Sequence, residues 1–430
     1  MLIRPAKTIA GILTLPGDKS ISHRAAMFAA LADGRSVIDN FASSADCSST
    51  LDVLSRLGVV IEREGTSVRV EGVGERGFLR PDEPLDCGNS GTTMRLITGI
   101  LAGCRVEATL IGDRSLSSRP MKRVIEPLTE MGALIQSNNG MAPLSINAGR
   151  RLRGIEHRSM IASAQIKSSI LLAGLHADGQ TTVVEAVPTR DHTERMLGWF
   201  GAAIDTSKPG TISIIGGQKL SGRLFTVPGD ISSAAFFLAA AACFDGSELS
   251  VKDVGLNPTR TGVIEVLSRC GVAMTIQNKR LRCNELVGDI TVHGPVAING
   301  SRERIILKGD VIANAIDEIP ILAVLGTQLV TGLEIRDAGE LRFKESDRIG
   351  AVVENLRRMG ARVEEFPDGM RIDRSDLKGA VVDSFGDHRI AMAFAVAGLL
   401  AKGSTEIAGA DCVNISFPGF FETLESVVIS

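Results

Sequence analysis

Apolar residues gather in six segments along the chain, and small or polar residues introduce each segment while glycine ends it. Such a segment is typical of a buried helix, because polar side chains cap the first turn and glycine adopts the left-handed backbone after the last one. The segments begin about every seventy residues, which indicates a repeated supersecondary unit. They cover residues 18–34, 88–103, 163–179, 230–246, 317–332 and 386–403.

A second pattern follows the apolar segment in five of the six units. There a helical run ends at glycine, and β-branched or alternating apolar residues come next, as in RLGVVIE and RMGARVE. The glycines are Gly58, Gly132, Gly201, Gly271 and Gly360. Glycine marks a helix end, and the alternation after it predicts a strand. Each unit is therefore expected to run strand, helix, strand, helix, strands, which predicts an α/β protein.

Two Pro-Gly-Asp turns divide the six units into two similar groups of three. The sequence LPGDKSISHR begins at residue 15 and VPGDISSAAF begins at residue 227, and both lead into an Ala-rich helix. We expect these turns to be the crossings between two domains, with the short N-terminal strand joined to the second half. One domain then comprises residues 1–18 and 229–430, and the other comprises residues 19–228.

Composition excludes several classes of protein. A chain of 430 residues with 44% hydrophobic content can form two packed cores. The formal net charge of -3 provides no general attraction to nucleic acid or to acidic membranes. The apolar runs are shorter than the ~20 residues that a membrane span needs, and the N-terminus lacks the pattern of a secretory signal. We therefore expect a cytoplasmic protein without nucleic-acid or membrane partners. Independently of this composition, our expectation for the oligomeric state is a monomer.

Cysteine spacing gives no sign of a disulfide framework or a structural metal site. The seven cysteines are scattered and none forms a C-x-x-C pair. Reduced and mostly buried thiols are the expectation for such a set. The sequence predicts no metal site.

Basic and hydroxyl side chains concentrate where the predicted helices begin. In LPGDKSISHR, residues Lys19, Ser20 and Arg24 surround the start of the first helix, whereas the second copy of the turn lacks the two cations. Unpaired N–H groups and the helix dipole attract an anion there, and charged donors strengthen the site. The same reasoning makes candidates of residues at later helix starts, namely Asn89, Gly91, Thr92, Arg119, Ser163, Gln165, Lys167 and Arg190.

The second half adds carboxylates to the cations. Asp317 and Glu318 precede one apolar helix, and LRFKESDRIG places Glu345 between Lys344 and Arg348. A carboxylate between two cations is a candidate general acid or base. His388 and Arg389 begin the last repeated helix. Each group alone could be a helix cap or a surface ion pair.

Eight cations thus lie at helix starts or in adjoining loops of a slightly acidic chain. This density fits a pair of substrates with several phosphate and carboxylate groups, and it predicts that the domains close around them. The cations are Lys19, Arg24, Arg119, Lys167, Arg190, Lys344, Arg348 and Arg389.

The order of these motifs resembles the 5-enolpyruvylshikimate-3-phosphate synthase family, in its class II form, over nearly the whole chain. The resemblance is carried by LPGDKSISHRA, GNSGTTMRL, SSRPM, SAQIKSSILLAGL, TRDHTERML, VPGDISSAAF, KESDRI and GDHRIAM. It implies two similar domains of three βαβαββ repeats each, the inverse α/β barrel of enolpyruvyl transferases, with the active site in the interdomain cleft. It also implies transfer of the enolpyruvyl group of phosphoenolpyruvate to the 5-hydroxyl of shikimate 3-phosphate, with release of phosphate and with no cofactor.

The resemblance also implies roles for individual residues. Asp317 is the expected proton acceptor at the 5-hydroxyl, Glu345 the expected proton donor to the methylene carbon, and Lys19 a catalytic contact to both substrates. The expected ligands of shikimate 3-phosphate are Lys19, Ser20, Arg24, Ser163, Ala164, Gln165, Arg190, Asp317 and Lys344. The expected ligands of phosphoenolpyruvate are Lys19, Asn89, Gly91, Thr92, Arg119, Gln165, Lys167, Glu345, Arg348, His388 and Arg389.

One departure and two alternatives complete the interpretation. Many relatives carry a lysine before the C-terminal Phe-Pro, whereas this chain has CVNISFPGFF, so Lys167 is expected to compensate. A UDP-N-acetylglucosamine enolpyruvyl transferase shares the fold and the donor but uses a cysteine that residues 111–118, IGDRSLSS, do not contain. A noncatalytic anion-binding protein on the same scaffold would not need Asp317 and Glu345 beside the cations.

Overall fold

The computed structural model describes residues 1–160, 162–295 and 303–429. The chain packs into two units, which we call the central unit and the terminal unit. The central unit comprises Gly17–Val227 and Arg282–Glu285, and the terminal unit comprises Met1–Pro16, Pro228–Leu281 and Leu286–Ser430. Sequence analysis placed the crossings after residues 18 and 228, whereas in the structure they follow residues 16 and 227. It did not anticipate that Arg282–Glu285, a hairpin turn, groups with the central unit.

The helices include the two kinds that the repeat predicts, namely a buried apolar helix and a second helix that ends at glycine, together with several shorter ones. They are α1 (Lys19–Leu31), α2 (Ala45–Arg56), α3 (Gly91–Cys104), α4 (Arg114–Ser117), α5 (Lys122–Glu130), α6 (Ala164–Gly174), α7 (His192–Trp199), α8 (Ile231–Cys243), α9 (Gly262–Arg269), α10 (Asp310–Ala315), α11 (Ile319–Gly326), α12 (Arg348–Arg358), α13 (His388–Leu400) and α14 (Phe420–Glu425). Short 3-10 turns cover Gly74–Arg76, Ile316–Glu318, Gly339–Phe343 and Ala410–Ile415.

The strands of the first half are β1 (Leu2–Ile3), β2 (Thr8–Thr14), β3 (Arg35–Asp39), β4 (Val60–Glu64), β5 (Ser67–Glu71), β6 (Leu85–Asp86), β7 (Ala108–Ile111), β8 (Leu134–Asn138), β9 (Met141–Asn147), β10 (Glu156–Ser159), β11 (Gln180–Glu185), β12 (Ile204–Asp205), β13 (Thr211–Ile215) and β14 (Leu224–Thr226). Those of the second half are β15 (Glu248–Gly255), β16 (Ala273–Arg282), β17 (Glu285–His293), β18 (Ile305–Leu307), β19 (Leu333–Ile335), β20 (Val363–Phe366), β21 (Gly369–Ile372), β22 (Val381–Asp383), β23 (Thr405–Ala408) and β24 (Val428–Ile429).

The central unit and the terminal unit each contain three sheets among the described residues. The central unit has β14-β3-β5-β4, β6-β7-β9-β8 and β10-β11-β13-β12, and the terminal unit has β16-β17-β15-β2-β24, β18-β19-β21-β20 and β1-β23-β22. The same pairing recurs: two strands pair in parallel, and the second also pairs with an antiparallel neighbour, as in β6, β7 and β9. A parallel pair needs a crossover connection, which a helix supplies in four of these sheets. In the other two, β3 pairs with β14 and β2 pairs with β15, strands that lie far apart in the sequence. The predicted α/β class and its sixfold repeat are therefore confirmed.

The six predicted apolar segments contain the most buried helices of the chain. Helices α1, α3 and α6 lie in one apolar core, and α8, α11 and α13 lie in another. Close packing explains some of the small residues, since a Cβ atom at Gly99 of α3 would lie 2.3 Å from the carbonyl oxygen of Ser169 on α6. The central unit and the terminal unit therefore each have their own apolar core, and the polar groups at the helix starts extend from it.

Most predicted helix ends hold, but two differ, because α6 ends at Gly174 instead of Gly179 and α11 ends at Gly326 instead of Gly332. All five glycines of the second pattern have positive φ, from 82° at Gly360 to 105° at Gly132, as a helix end of this type requires. The predicted segment 317–332 instead begins as a 3-10 turn, and α11 ends at Gly326. The N–H groups of Thr327 and Gln328 bond the carbonyls of Val324 and Leu325, three residues back, which tightens and closes the last turn. Among the described helices, none combines the length and apolar character that crossing a bilayer requires.

Candidate active site

The start of α1 holds Lys19 beside a carboxylate of α2. Asp18 caps the helix by accepting a hydrogen bond from the Ile21 N–H at 2.8 Å. Lys19 Nζ donates to Asp46 Oδ2 at 2.9 Å, and 19% of the lysine side chain remains exposed. The ammonium group is therefore oriented by Asp46, while part of the lysine side chain remains open to solvent. Asp46 is a site residue that sequence analysis missed.

Arg24 joins three helices of the central unit. Its Nε donates to Thr193 Oγ1 of α7 at 2.8 Å, its Nη1 to the Ser20 carbonyl of α1 at 2.9 Å, and its Nη2 to Ser168 Oγ of α6 at 2.8 Å. The guanidinium is buried. Because its donors are spread over separate partners, the side chain has one defined position at the start of α1.

A second group of polar residues surrounds the start of α3. Arg119 Nη2 donates to Asn89 Oδ1 at 2.7 Å and to Ser115 Oγ at 3.1 Å. Gln165 of α6 donates through Nε2 to Thr92 Oγ1 at 2.8 Å. The structure thus brings together residues that the sequence placed on three separate motifs.

Arg95 completes this second group, although sequence analysis did not name it as a candidate. Its Nη1 donates to Gln165 Oε1 in a short hydrogen bond. A Cβ atom at Gly91 would lie 3.5 Å from Arg119 Nη1 and 3.6 Å from Arg95 Nη1. Arg95 follows Gly91 by four residues, so helical periodicity places both on one face and offered a signal for it.

Lys167 lies in the first turn of α6, as the sequence predicts, but its side chain is enclosed in the core. Its Nζ lies 2.9 Å from Glu185 Oε2 and 2.7 Å from Glu194 Oε1, and it donates to the Thr189 carbonyl at 3.3 Å. The side chain is 2% exposed. Two carboxylates already pair with this ammonium inside the core, which does not favour its predicted contact with phosphoenolpyruvate or its predicted compensation for the missing C-terminal lysine. Burial raises the pKa of Glu194 against the opposing charge of Lys167.

Four predicted residues lie at the starts of α6 and α7. Ser163 is the residue before α6, Ala164 and Gln165 form its first turn, and all three are half-buried. Arg190 precedes α7 and is also half-buried. Glu185, bonded to Lys167, also accepts a short hydrogen bond from the Thr189 hydroxyl. The buried ion cluster therefore anchors the segment that carries Arg190.

In the terminal unit, Arg348 holds three carboxylates around one guanidinium. Its Nε donates to Asp387 Oδ2 at 2.8 Å, its Nη1 to Asp317 Oδ1 at 3.3 Å, and its Nη2 to Glu345 Oε2 at 2.6 Å. Burial disfavours the charge of Arg348, but Asp387, Glu345 and Asp317 outweigh it and raise the pKa of the guanidinium. Asp317 and Glu345, the two predicted proton-transfer groups, are thus fixed on neighbouring nitrogens of the same side chain.

Other predicted residues of the terminal unit lie around this cluster. Arg389 Nη1 donates to the Asp317 carbonyl at 3.0 Å and lies 3.7 Å from Glu318 Oε1. Lys344 and Glu345 are half-buried, directly before α12. His388 begins α13 and is 2% exposed, which does not favour its predicted contact with a substrate.

Asp387 is the main site residue of the terminal unit that sequence analysis missed. Its side chain is fully buried, caps α13 through the Arg389 N–H at 2.9 Å, and also accepts from Ser346 Oγ at 3.1 Å. The sequence GDHR predicts that Asp387 caps a helix. It does not predict that Asp387 pairs with Arg348, which lies 39 residues earlier. Among the described residues, no group of His, Cys, Asp and Glu side chains has the arrangement of a metal site.

Comparisons with known proteins agree over the full length of the chain. The family model described as EPSP synthase (3-phosphoshikimate 1-carboxyvinyltransferase) matches residues 3–424. The chain is 50% identical to the 3-phosphoshikimate 1-carboxyvinyltransferase of Geobacillus kaustophilus over 426 residues, which cover 98% of each protein. It is 47% identical to the protein of the same name from Citrifermentans bemidjiense, over 99% of this chain and 98% of that one. A solved structure of EPSP synthase from Acinetobacter baumannii superimposes with a TM-score of 0.89 at 42% identity, covering 100% of this chain and 98% of that one.

Proposed function

The chain belongs to the EPSP synthase family, and on this premise we propose that it transfers the enolpyruvyl group of phosphoenolpyruvate to the 5-hydroxyl of shikimate 3-phosphate, releasing phosphate. The observation that carries the proposal is the pair Asp317 and Glu345, whose carboxylates contact Arg348 Nη1 and Nη2 at 3.3 Å and 2.6 Å. Binding of anions alone does not require two carboxylates in this arrangement, whereas proton transfer at two atoms does.

The reaction needs one proton delivered and one removed in each half. In the addition, Glu345 gives a proton to C3 of phosphoenolpyruvate while the 5-hydroxyl oxygen forms a bond to C2, and Asp317 takes the hydroxyl proton. A tetrahedral intermediate results, with phosphate and the shikimate oxygen on C2. In the elimination, the C2–O bond to phosphate breaks, C3 returns its proton to Glu345, and the departing phosphate takes up the proton that Asp317 held. Arg348 stabilises whichever carboxylate is ionised.

The cations hold the substrates' phosphate and carboxylate groups. In the central unit, the proposed ligands of shikimate 3-phosphate are Lys19, Ser20, Arg24, Ser163, Ala164, Gln165 and Arg190, and those of phosphoenolpyruvate are Lys19, Asn89, Gly91, Thr92, Arg119 and Gln165. Asp317 and Lys344 for the first substrate, and Glu345, Arg348 and Arg389 for the second, come from the terminal unit. Arg95 joins the phosphoenolpyruvate set because it contacts Gln165. Guanidinium groups suit these anions, since they bind two oxygens in one plane.

Turnover with the two substrates tests the function. We expect release of phosphate from shikimate 3-phosphate and phosphoenolpyruvate without added metal. Turnover with UDP-N-acetylglucosamine in place of shikimate 3-phosphate would favour the related transferase instead, and binding of both substrates without phosphate release would favour a noncatalytic anion-binding protein.

Replacing Lys19 with alanine tests the site. We expect kcat/KM to fall by about 10²-fold or more, because a positioned charge at the reacting anions is lost. Lys219→Ala is the matched control, since Lys219 also contacts a carboxylate, that of Glu75, but lies on the surface. Steady-state kinetics of both variants give the comparison, and equal values of kcat/KM would remove Lys19 from the site.

Gly91→Ala tests whether the small residue at this position leaves room for phosphoenolpyruvate or is needed for helix packing. The new methyl group meets its neighbours at ordinary contact distances of 3.5 Å or more, so the variant should fold normally. It also fills space in front of Arg95 and Arg119, and we expect the KM for phosphoenolpyruvate to rise about tenfold or more while that for shikimate 3-phosphate changes little.

Gly99→Ala is the contrasting variant on the same helix. Its Cβ atom would lie 2.3 Å from the Ser169 carbonyl oxygen, so it should lower the free energy of unfolding by about 1–3 kcal/mol. Kinetics and denaturant unfolding of both variants give the comparison. An unchanged KM for phosphoenolpyruvate in Gly91→Ala would contradict the assignment of Gly91.

We place this activity in a cytoplasmic monomer. All seven cysteines are free thiols, as expected in a reducing compartment. Burial raises the pKa of Cys47 and Cys270 to about 12, so both stay protonated and unreactive. Light scattering of the purified protein measures the oligomeric state.

A further inference from the structure

A chain of four buried polar side chains connects three helices of the central unit. His23 Nδ1 of α1 lies 2.6 Å from Thr50 Oγ1 of α2, and Thr50 Oγ1 lies 2.7 Å from Thr93 Oγ1 of α3. Thr93 Oγ1 donates to Oγ of Ser90, the capping residue of α3, at 2.7 Å. All four side chains are fully buried. We call these residues the relay.

The direction of each hydrogen bond in the relay follows from its last member. The Thr93 hydroxyl has one proton and gives it to Ser90, so its oxygen must accept from Thr50. The Thr50 hydroxyl then donates its only proton to Thr93, so its oxygen must accept from the Nδ1–H of His23. Nδ1 of the ring therefore carries a proton, which in the neutral state is the Nδ1–H tautomer, and Nε2 is buried without a hydrogen-bond partner.

The charges around His23 support the same neutral state. Burial, followed by the positive charges of Lys19 and Arg24, holds the pKa of His23 well below its usual range. A second proton on Nε2 would place a charge in the core without an acceptor. The ring is also closed to solvent, so it has no access to a substrate. These properties exclude a catalytic role for His23. They fit a structural role in which the ring donates one hydrogen bond, to Thr50, in a fixed direction.

The two ends of the relay coincide with the two proposed anion-binding helix starts. His23 lies one turn after Lys19 and next to Arg24, both assigned to shikimate 3-phosphate. Ser90 directly precedes Gly91, which is assigned to phosphoenolpyruvate. Hydrogen bonds fix both the distance and the direction between the groups that they join, whereas apolar contacts have no preferred direction.

We propose that His23, Thr50, Thr93 and Ser90 are positioning residues, which fix the start of α1 relative to the start of α3 and thereby align the two substrates for reaction. The proposal rests on the proposed substrate sites at these helix starts. It assigns Thr50, which lies on neither helix, a role in turnover rather than in binding. Small misplacements of reacting groups cost large factors in rate, so the relay should act mainly on kcat.

Thr50→Val breaks the relay at its centre while it keeps the shape of the side chain. We expect kcat to fall about tenfold or more, with a smaller change in the KM of either substrate. Thr50→Ser restores the hydroxyl and should restore kcat. Thr98→Val is the matched control, because the Thr98 hydroxyl is also buried but bonds the Met94 carbonyl within its own helix, α3, at 2.7 Å.

Two further variants and a spectroscopic measurement keep the test decisive if Thr50→Val fails to fold. His23→Asn can still donate to Thr50 and should keep most of kcat, whereas His23→Leu cannot and should lose it. Nitrogen-15 NMR of the wild-type protein should show the Nδ1–H tautomer of His23 at neutral pH. The Nε2–H tautomer, equal kcat values in Thr50→Val and Thr98→Val, or full kcat in folded His23→Leu would each overturn the proposal. An inactive wild-type protein would instead overturn the proposed function.

Discussion

Glu345→Gln should lower kcat by about 10²- to 10⁴-fold, the range that a positioned general acid contributes. The amide oxygen can still accept from Arg348 Nη2, to which Glu345 Oε2 now lies at 2.6 Å, so the cluster keeps its geometry. The variant cannot deliver a proton to the methylene carbon of phosphoenolpyruvate. Because the loss concerns the transition state, KM for both substrates should change far less than kcat. Phosphate release under saturating substrate is the measurement.

Glu354→Gln is the control for this experiment. Glu354 lies on α12, close in sequence to Glu345, and its carboxylate also contacts an arginine, Arg358, but on the surface. The same substitution there removes the same charge and should leave kcat unchanged. Wild-type kcat in Glu345→Gln would show that another group donates the proton, and equal losses in both variants would point to a general effect of charge.

Local sequence patterns were sufficient to locate the helix starts on which the site is built. Capping residues and glycine act within one or two turns, so the positions of α1, α3 and α13 follow from neighbouring residues. The apolar character of these helices on all sides also predicts that they are buried in a core.

Pairings between distant residues could not be predicted in this way. A count of cations treats Lys19 and Lys167 alike, although Lys19 remains partly exposed beside one carboxylate and Lys167 is enclosed by two. Glu185 and Glu194 come 18 and 27 residues after Lys167. Their contact with it depends on how α6, β11 and α7 pack, which no local pattern encodes. The relay was missed for the same reason, because its hydrogen bonds join residues of three helices.

Lys167→Met should lower the free energy of unfolding by about 3–5 kcal/mol, the usual cost of removing one partner from a buried ion pair. Methionine fills a similar volume, but Glu185 and Glu194 lose their common cation, whose Nζ now lies 2.9 Å and 2.7 Å from them. Lys402→Met is the control, since Lys402 pairs with Asp376 on the surface, where solvent screens the pair and its loss should change the stability little. Denaturant unfolding at neutral pH measures both.

The pH dependence of the Lys167→Met variant identifies the cause of this loss. Burial already raises the pKa of Glu194 in the folded protein, and removing the opposing charge of Lys167 should raise it further. The folded variant then binds more protons than the unfolded chain above the ordinary pKa of glutamate, so its stability should increase as the pH falls from neutral toward that value. If Lys167 were a ligand of phosphoenolpyruvate instead, the variant would keep its stability at every pH and show only a raised KM for that substrate.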